Sequence, residues 1–244
     1  MESTAAQFIE RLNDLRSTEG HEHDDRALDS RGSDEFIGGI GMGQIFALAK
    51  ECMNMAPAEI EALLESPIHE VRVGAVSIMD WQARSRKTPD QRRKALFDLY
   101  IRRHDRINTW DLVDRSAIFV VGEHLWDKPR DILSTLAGSA RPMERRTAIL
   151  STYAFIRRGD LDDTFRIAEL LLGDEHDLVH KAVGWMLREA GKRDQPRLLT
   201  FLDAHAGTMP RVMLRYAMEK LDRSQRDRYL AVGKVRAGTG RQAS

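Results

Sequence analysis

The chain has 244 residues, 42% of them hydrophobic and 31% charged, with 38 basic and 38 acidic side chains in balance. That is the mix of a globular protein with enough apolar material for a core, and no run approaches the roughly 18 apolar residues that would span a bilayer. The single cysteine, Cys52, excludes an internal disulfide and any cysteine-based zinc site.

Read in chain order, the elements are helical. The opening stretch MESTAAQFIERLNDL has neither a basic leader nor an apolar signal core, so a cytoplasmic protein is expected. Ala5, Phe8, Ile9 and Leu12 form one apolar stripe at helical spacing. Residues 18–35 are polar and acidic and read as a loop, and Gly39, Gly41 and Gly43 lead flexibly into a helix over 43–53 that carries Ile45, Phe46, Ala49 and Met53. No strand precedes those glycines, which argues against a nucleotide fingerprint. The same periodicity returns at Ala95, Leu96, Leu99 and Tyr100, and at Ile167, Leu170 and Leu171. Pro57, Pro67, Pro89, Pro129, Pro142, Pro196 and Pro210 each fall where a helix can begin. Residues 233–244 read as a disordered basic tail. Sustained period-two alternation and hairpin turn pairs are both missing.

Within the helices lies a repeat. VRVGAVSIM (71–79), VDRSAIFVV (113–121), ERRTAILST (144–152) and VHKAVGWML (179–187) each place an alanine followed by an aliphatic residue after a polar pair. The slot alanines are Ala75, Ala117, Ala148 and Ala182, and MPRVMLRYA (209–217) adds a fifth copy with Met213 in the slot. Helix pairs at a period in the thirties to low forties of residues indicate an all-α fold, an α-solenoid of HEAT-like repeats forming a single domain over 1–232, with a non-repetitive helical bundle as the alternative. Stacked pairs of this kind curve, and equivalent helices line a concave face suited to an extended partner. The small slot residue lets neighbouring helices come close.

Charge is uneven along the chain. Residues 1–80 hold 6 Lys or Arg against 16 Asp or Glu, and residues 81–244 hold 32 against 22. Long helices that simply expose mixed charge give such a pattern, and so does a basic part built for an anionic partner. On the second reading the partner lies against the middle and C-terminal repeats.

The polar residues around the slots are the site candidates. Trp110 and Asp114 precede Ala117 by seven and three residues and share a helix face. Arg146 precedes Ala148 by two, and Trp185 follows Ala182 by three. Each also has an ordinary structural reading: the tryptophans as core, Arg146 as a solvated charge. Asn108 or Thr109 is a good N-cap and Asp111 a good first-turn acid, but Asp114 lies beyond the first turn, where no such account serves. His21, Glu22, His23 and Asp24 lie in a polar loop without further ligands, and His176 and His180 lack a third, so no metal is expected.

Taken together, INTWDLVD, ERRTAIL and KAVGWMLRE, in this order, resemble signature segments of the DNA alkylation repair glycosylases built from HEAT-like repeats, the AlkD type. IGGIGMGQIFALAKE followed by EIEALLESPIHEVRVGAV is similar to that family's N-terminal region, so the resemblance spans about residues 36–220. It implies excision of cationic alkylated purines, 3-methyladenine and 7-methylguanine, from duplex DNA without flipping the lesion into a pocket. On this resemblance Asp114 stabilises an oxocarbenium-like sugar, Trp110 and Trp185 present their ring faces to it, and Arg146 grips a phosphate or helps position Asp114. Arg188, Lys181, Arg145 and Arg157 are the further DNA-binding residues expected. It implies no cofactor and no metal; a monomer that does not engage membranes is expected. No lysine is placed for Schiff-base chemistry, which points to a monofunctional enzyme. The chain departs from the family where Gly41-Met-Gly-Gln-Ile-Phe-Ala replaces a Val-x-x-Pro-x-Leu-Arg-like stretch. Two other readings remain at this point: a non-catalytic DNA-binding repeat protein and a repeat scaffold for a protein partner.

Overall fold

The structure, a computed structural model, describes residues 3–16 and 35–239, with backbone alone from 233 onward. The loop expected over 18–35 and the His21–Asp24 group lie outside these residues, apart from Glu35. Among the described residues every regular element is helical, and the one strand-like contact is an isolated parallel bridge between Glu35 and Ile68. The last helix runs Arg223–Thr239, so the boundary expected at 233 falls inside a helix.

Local chemistry accounts for the helix starts. Helix α1 (Ala5–Asp14) opens on a capping box between Thr4 and Gln7 and buries Phe8 and Leu12. Pro57, Pro142 and Pro196 stand in the first turns of α3 (Pro57–Leu64), α8 (Pro142–Ser151) and α12 (Gln195–His205). There a missing N–H costs nothing. Pro89 and Pro210 sit one residue ahead of α5 (Asp90–Arg102) and α13 (Arg211–Ala217). The glycine string forms a turn: Gly38 and Gly39 adopt φ of 69° and 70°, open to glycine at no steric cost, and α2 (Met42–Glu51) begins just after Gly41.

Contacts gather into two compact units, Met1–Lys128 and Pro129–Ser244. In the first, α4 (His69–Arg84) is the centre, with α2 on one side and α6 (Trp110–Ser116) on the other, while α3 and α5 pack behind. In the second, α11 (Asp177–Gly191) stands between α8 and α13, backed by α10 (Asp162–Leu170) and α12, with α7 (Asp131–Ala137) on α8 and a short α9 (Tyr153–Ile156) following it. All five slot residues, Ala75, Ala117, Ala148, Ala182 and Met213, are fully buried, as the close packing expected of them requires.

Part of the charge imbalance along the sequence is met across helices. Arg102 and Arg103 of α5 bond Glu61 (2.7 and 3.2 Å), and Arg103 bonds Glu65 at 2.8 Å. Arg106 adds hydrogen bonds to the carbonyls of Leu64, Glu65 and Ser66 at the end of α3.

Two predictions follow from the packing. A Cβ built at Gly184 would stand 2.5 Å from the Met213 carbonyl oxygen and from the Tyr216 Cβ. Although alanine is the better helix former by about 1 kcal/mol, Gly184→Ala should therefore destabilise by about 1–3 kcal/mol, read as a lower urea midpoint. Tyr229 on α14 (Arg223–Thr239) donates to Asp203 at 2.8 Å, and burial together with that carboxylate pushes its phenol up to about 12. A raised folded pKa stabilises below the unfolded value near 10 and is lost as pH climbs from about 10 to about 12. The melting-temperature advantage of wild type over Tyr229→Phe should shrink between about pH 10 and about pH 12; an advantage independent of pH would show that the phenol does not titrate this way.

Candidate functional site

Helix α6 carries the first two candidates. Trp110 opens it and Asp114 follows one turn later, both half-buried, while Leu112, Val113 and Ser116 face the core. The helix then widens into a π turn over Ala117–Gly122, closed by the Glu123 N–H on the Ile118 carbonyl at 3.0 Å. Such turns are rare and often lie at functional positions. Thr109 occupies the N-cap position, but its hydroxyl makes no cap bond to the helix backbone; it donates to Asp111 Oδ1 at 2.7 Å. Asp111 in turn holds His69 of α4, a contact made across 42 positions that no local reading supplies.

The neighbouring side of the first unit was not anticipated from sequence. Arg115 stands over Phe46 (4.4 Å to the ring centre) and beside Trp81 (5.4 Å), Lys50 over Trp81 (5.1 Å), and Arg84 over Phe119 (3.7 Å). Beneath them Asp80 is fully buried and accepts from Arg84 at 2.8 Å. Burial pushes the Asp80 carboxyl above its ordinary value, against the pull of Arg84 and Arg115. Three cations on aromatic faces, two of them paired with one buried carboxylate, make a locally basic, aromatic strip in the first unit. The signal in the sequence is aromatic–cation alternation on α2, α4 and the π turn, visible only once those helices are known to adjoin.

In the second unit Arg146 lies on α8 and Trp185 on the adjacent α11. The Arg146 side chain is buried and donates to the Leu178 carbonyl in the first turn of α11. Trp185 follows Leu178 by two helical turns and is half-buried. The tryptophans are therefore not enclosed core residues, and Arg146 is not a solvated charge.

The remaining expected residues divide. Arg145 sends four of its N–H donors to Asp174 Oδ1 and Oδ2 and to the Ser139 and Ala140 carbonyls. Burial would raise the Asp174 carboxyl, but Arg145 and the His176 N–H hold it below its ordinary value. The structure gives Arg145 this staple, whose carboxylate partner lies 29 residues away and is invisible in local sequence. Lys181 makes a solvated pair with Asp177 at 2.6 Å. Arg188 reaches Glu219 and Glu189 and borders a cleft of about 370 Å³ shared with Lys192, Arg193 and Lys220. Exposed Arg157 borders a second, about 270 Å³, with Tyr153, Glu189, Lys192 and Arg193. Both clefts are chiefly cationic, fit for phosphate oxygens. His176 and His180 serve structure: His176 caps α11 by accepting from the Leu178 N–H, and His180 meets the Asp174 carbonyl. Among the described residues no cluster of His, Cys, Asp and Glu could hold a metal ion, and no helix is long and apolar enough to cross a membrane.

A solved structure described as a predicted DNA alkylation repair enzyme from Enterococcus faecalis has the same fold, with a TM-score of 0.62 and 16% identity, covering 85% of this chain and 100% of that one. No curated protein matches. The model of the family of DNA alkylation repair enzymes matches residues 9–221, nearly all of the described chain. This chain belongs to that family, and its role lies in the repair of alkylated DNA.

Proposed function

We propose that the protein is a monofunctional DNA glycosylase, an α-solenoid of HEAT-like repeats that acts as a monomer in the cytoplasm and removes 3-methyladenine and 7-methylguanine from duplex DNA without flipping the lesion. The observation that carries the reading is Asp114, a half-buried carboxylate one turn after Trp110 on a short helix of an alkylation-repair protein. A protein that only bound DNA would have no use for an acid there, since carboxylate next to phosphate opposes binding.

Alkylation leaves the purine positively charged, so the base departs readily. The C1′–N bond breaks with its electron pair going to the base, which leaves neutral, while positive charge builds on the deoxyribose ring. Asp114 stabilises that charge and accepts a proton from the water that adds at C1′. Trp110 presents a ring face to the cationic sugar, and Trp185 offers a face of the same kind. Arg146 holds the start of α11, the helix that carries Trp185, and Arg188, Lys181 and Arg157 add sequence-independent attraction to the phosphate backbone. No cofactor is needed, because the lesion itself supplies the leaving group.

Release of 7-methylguanine from methylated duplex DNA tests this. Asp114→Asn should lower the single-turnover rate by about 100-fold or more while DNA binding persists. Equal release by both proteins would remove Asp114 from the chemistry. Tight DNA binding by wild type with no base released would favour the non-catalytic DNA-binding reading.

A further inference from the structure

The first turn of α4 is unusual in burying three successive ionisable side chains, His69, Glu70 and Arg72, each almost wholly excluded from solvent. Each ties a different neighbour. Glu70 accepts the backbone N–H groups of Ile37 and Gly38 at 3.2 and 3.4 Å. His69 Nε2 meets Asp111 Oδ2 at 2.7 Å, with its ring against Phe36 and its backbone N–H on the Glu35 carbonyl at 2.8 Å. Arg72 Nη1 donates to Asn108 Oδ1 at 3.2 Å. Two of the three ties therefore land within two residues of Trp110, one on each side.

That placement matters because α6 secures its own start poorly. It has only seven residues before the π turn, and so short a helix has little intrinsic stability. Its N-cap threonine makes no cap bond to the helix backbone and spends its hydroxyl on Asp111. The orphan donors of a first turn usually hold it in register through a local cap; here the hold comes from α4, about 40 positions earlier. Asp111 is fixed on one carboxylate oxygen by Thr109 and on the other by His69. Asp114 lies three residues beyond that anchor, at the start of the next turn.

We propose that His69 and Arg72, acting through Asp111 and Asn108, are positioning residues that set the start of α6, and with it the orientation of Trp110 and the placing of Asp114. The last step, an effect on base release, rests on the glycosylase reading; the effect on Trp110 does not.

The full chain carrying 5-fluorotryptophan has four tryptophans, and Trp110→Phe identifies the Trp110 fluorine line. In His69→Phe that line should shift or broaden while the Trp185 line stays in place. Single-turnover release of 7-methylguanine should fall by about 10- to 100-fold, and affinity for undamaged duplex should stay within about twofold, a rate loss separate from binding. Asp111→Leu, which also removes the Thr109 contact, should lose at least as much as His69→Phe, and the double variant should lose no more than Asp111→Leu, because His69 acts through Asp111. Asp111→Asn, which keeps an oxygen for His69 and Thr109, should lose clearly less than Asp111→Leu. An unmoved Trp110 line, or losses that add in the double variant, would overturn the proposal. So would failure of both His69→Phe and Asp111→Leu to fold, since the pair would then hold the whole unit and not the start of α6. If wild type releases no base while the Trp110 line responds, the positioning role stands and the glycosylase reading falls.

Discussion

Close approach of neighbouring helices at one small position each is the constraint on which the rest of this structure depends. A buried alanine lets two helix backbones pack nearer than leucine or isoleucine would, and where even a methyl is too much, as at Gly184 against α13, the position is glycine. Once the helices are that close, the side chains a few positions to either side of the slot have no room to turn inward. Trp185, three residues after Ala182, is left half-buried at the surface. Arg146, two residues before Ala148, reaches across to the Leu178 carbonyl at the start of the adjoining α11. The packing rule thus decides where the polar candidates come to lie.

Electrostatics obeys the same geometry, which is why counting charge along the sequence misleads. The acidic excess of residues 1–80 suggested that only the later part of the chain suits phosphate. Part of that excess is cancelled within the first unit, because Glu61 of α3 and Glu65 at its end meet Arg102 of α5 and Arg103 at its end. Glu51 likewise pairs with Arg11. On the side of α2, α4 and α6 that carries Lys50, Arg84 and Arg115, the buried Asp80 pairs with both arginines. Net charge per segment is a statement about solubility and long-range field; which face is basic is decided by which helices adjoin.

What could be read from sequence follows from the range of the interactions involved. Prolines at helix starts act within one turn, so the starts at Pro57, Pro142 and Pro196 were legible. The slot alanines repeat, and repetition reveals a packing position without knowledge of its partner. Trp110 and Asp114 are four apart, and helical spacing alone puts them on one face. By contrast the Arg145 staple was not legible, because Asp174, its partner, lies 29 residues along the chain. Asp111 had a sufficient local explanation as a first-turn acid, and that sufficiency hid His69. The division into two compact units had no signal either: no glycine- or proline-rich linker marks the junction at Lys128–Pro129.

The buried first turn of α4 shows what such a polar group contributes. Removing charged or polar side chains from water costs several kcal/mol for an ion, and apolar residues of similar volume would fill the space about as well. Net stability is therefore a weak reason for His69, Glu70 and Arg72 to be there. Hydrogen bonds differ from apolar contacts in having direction: a leucine tolerates a small slide or rotation of its neighbour, whereas the His69–Asp111 contact at 2.7 Å does not. A seven-residue helix with an unmade cap is free to slide in just those ways. Directional contacts at its start restrict that freedom where Trp110 and Asp114 begin, and the apolar face formed by Leu112 and Val113 then only has to follow.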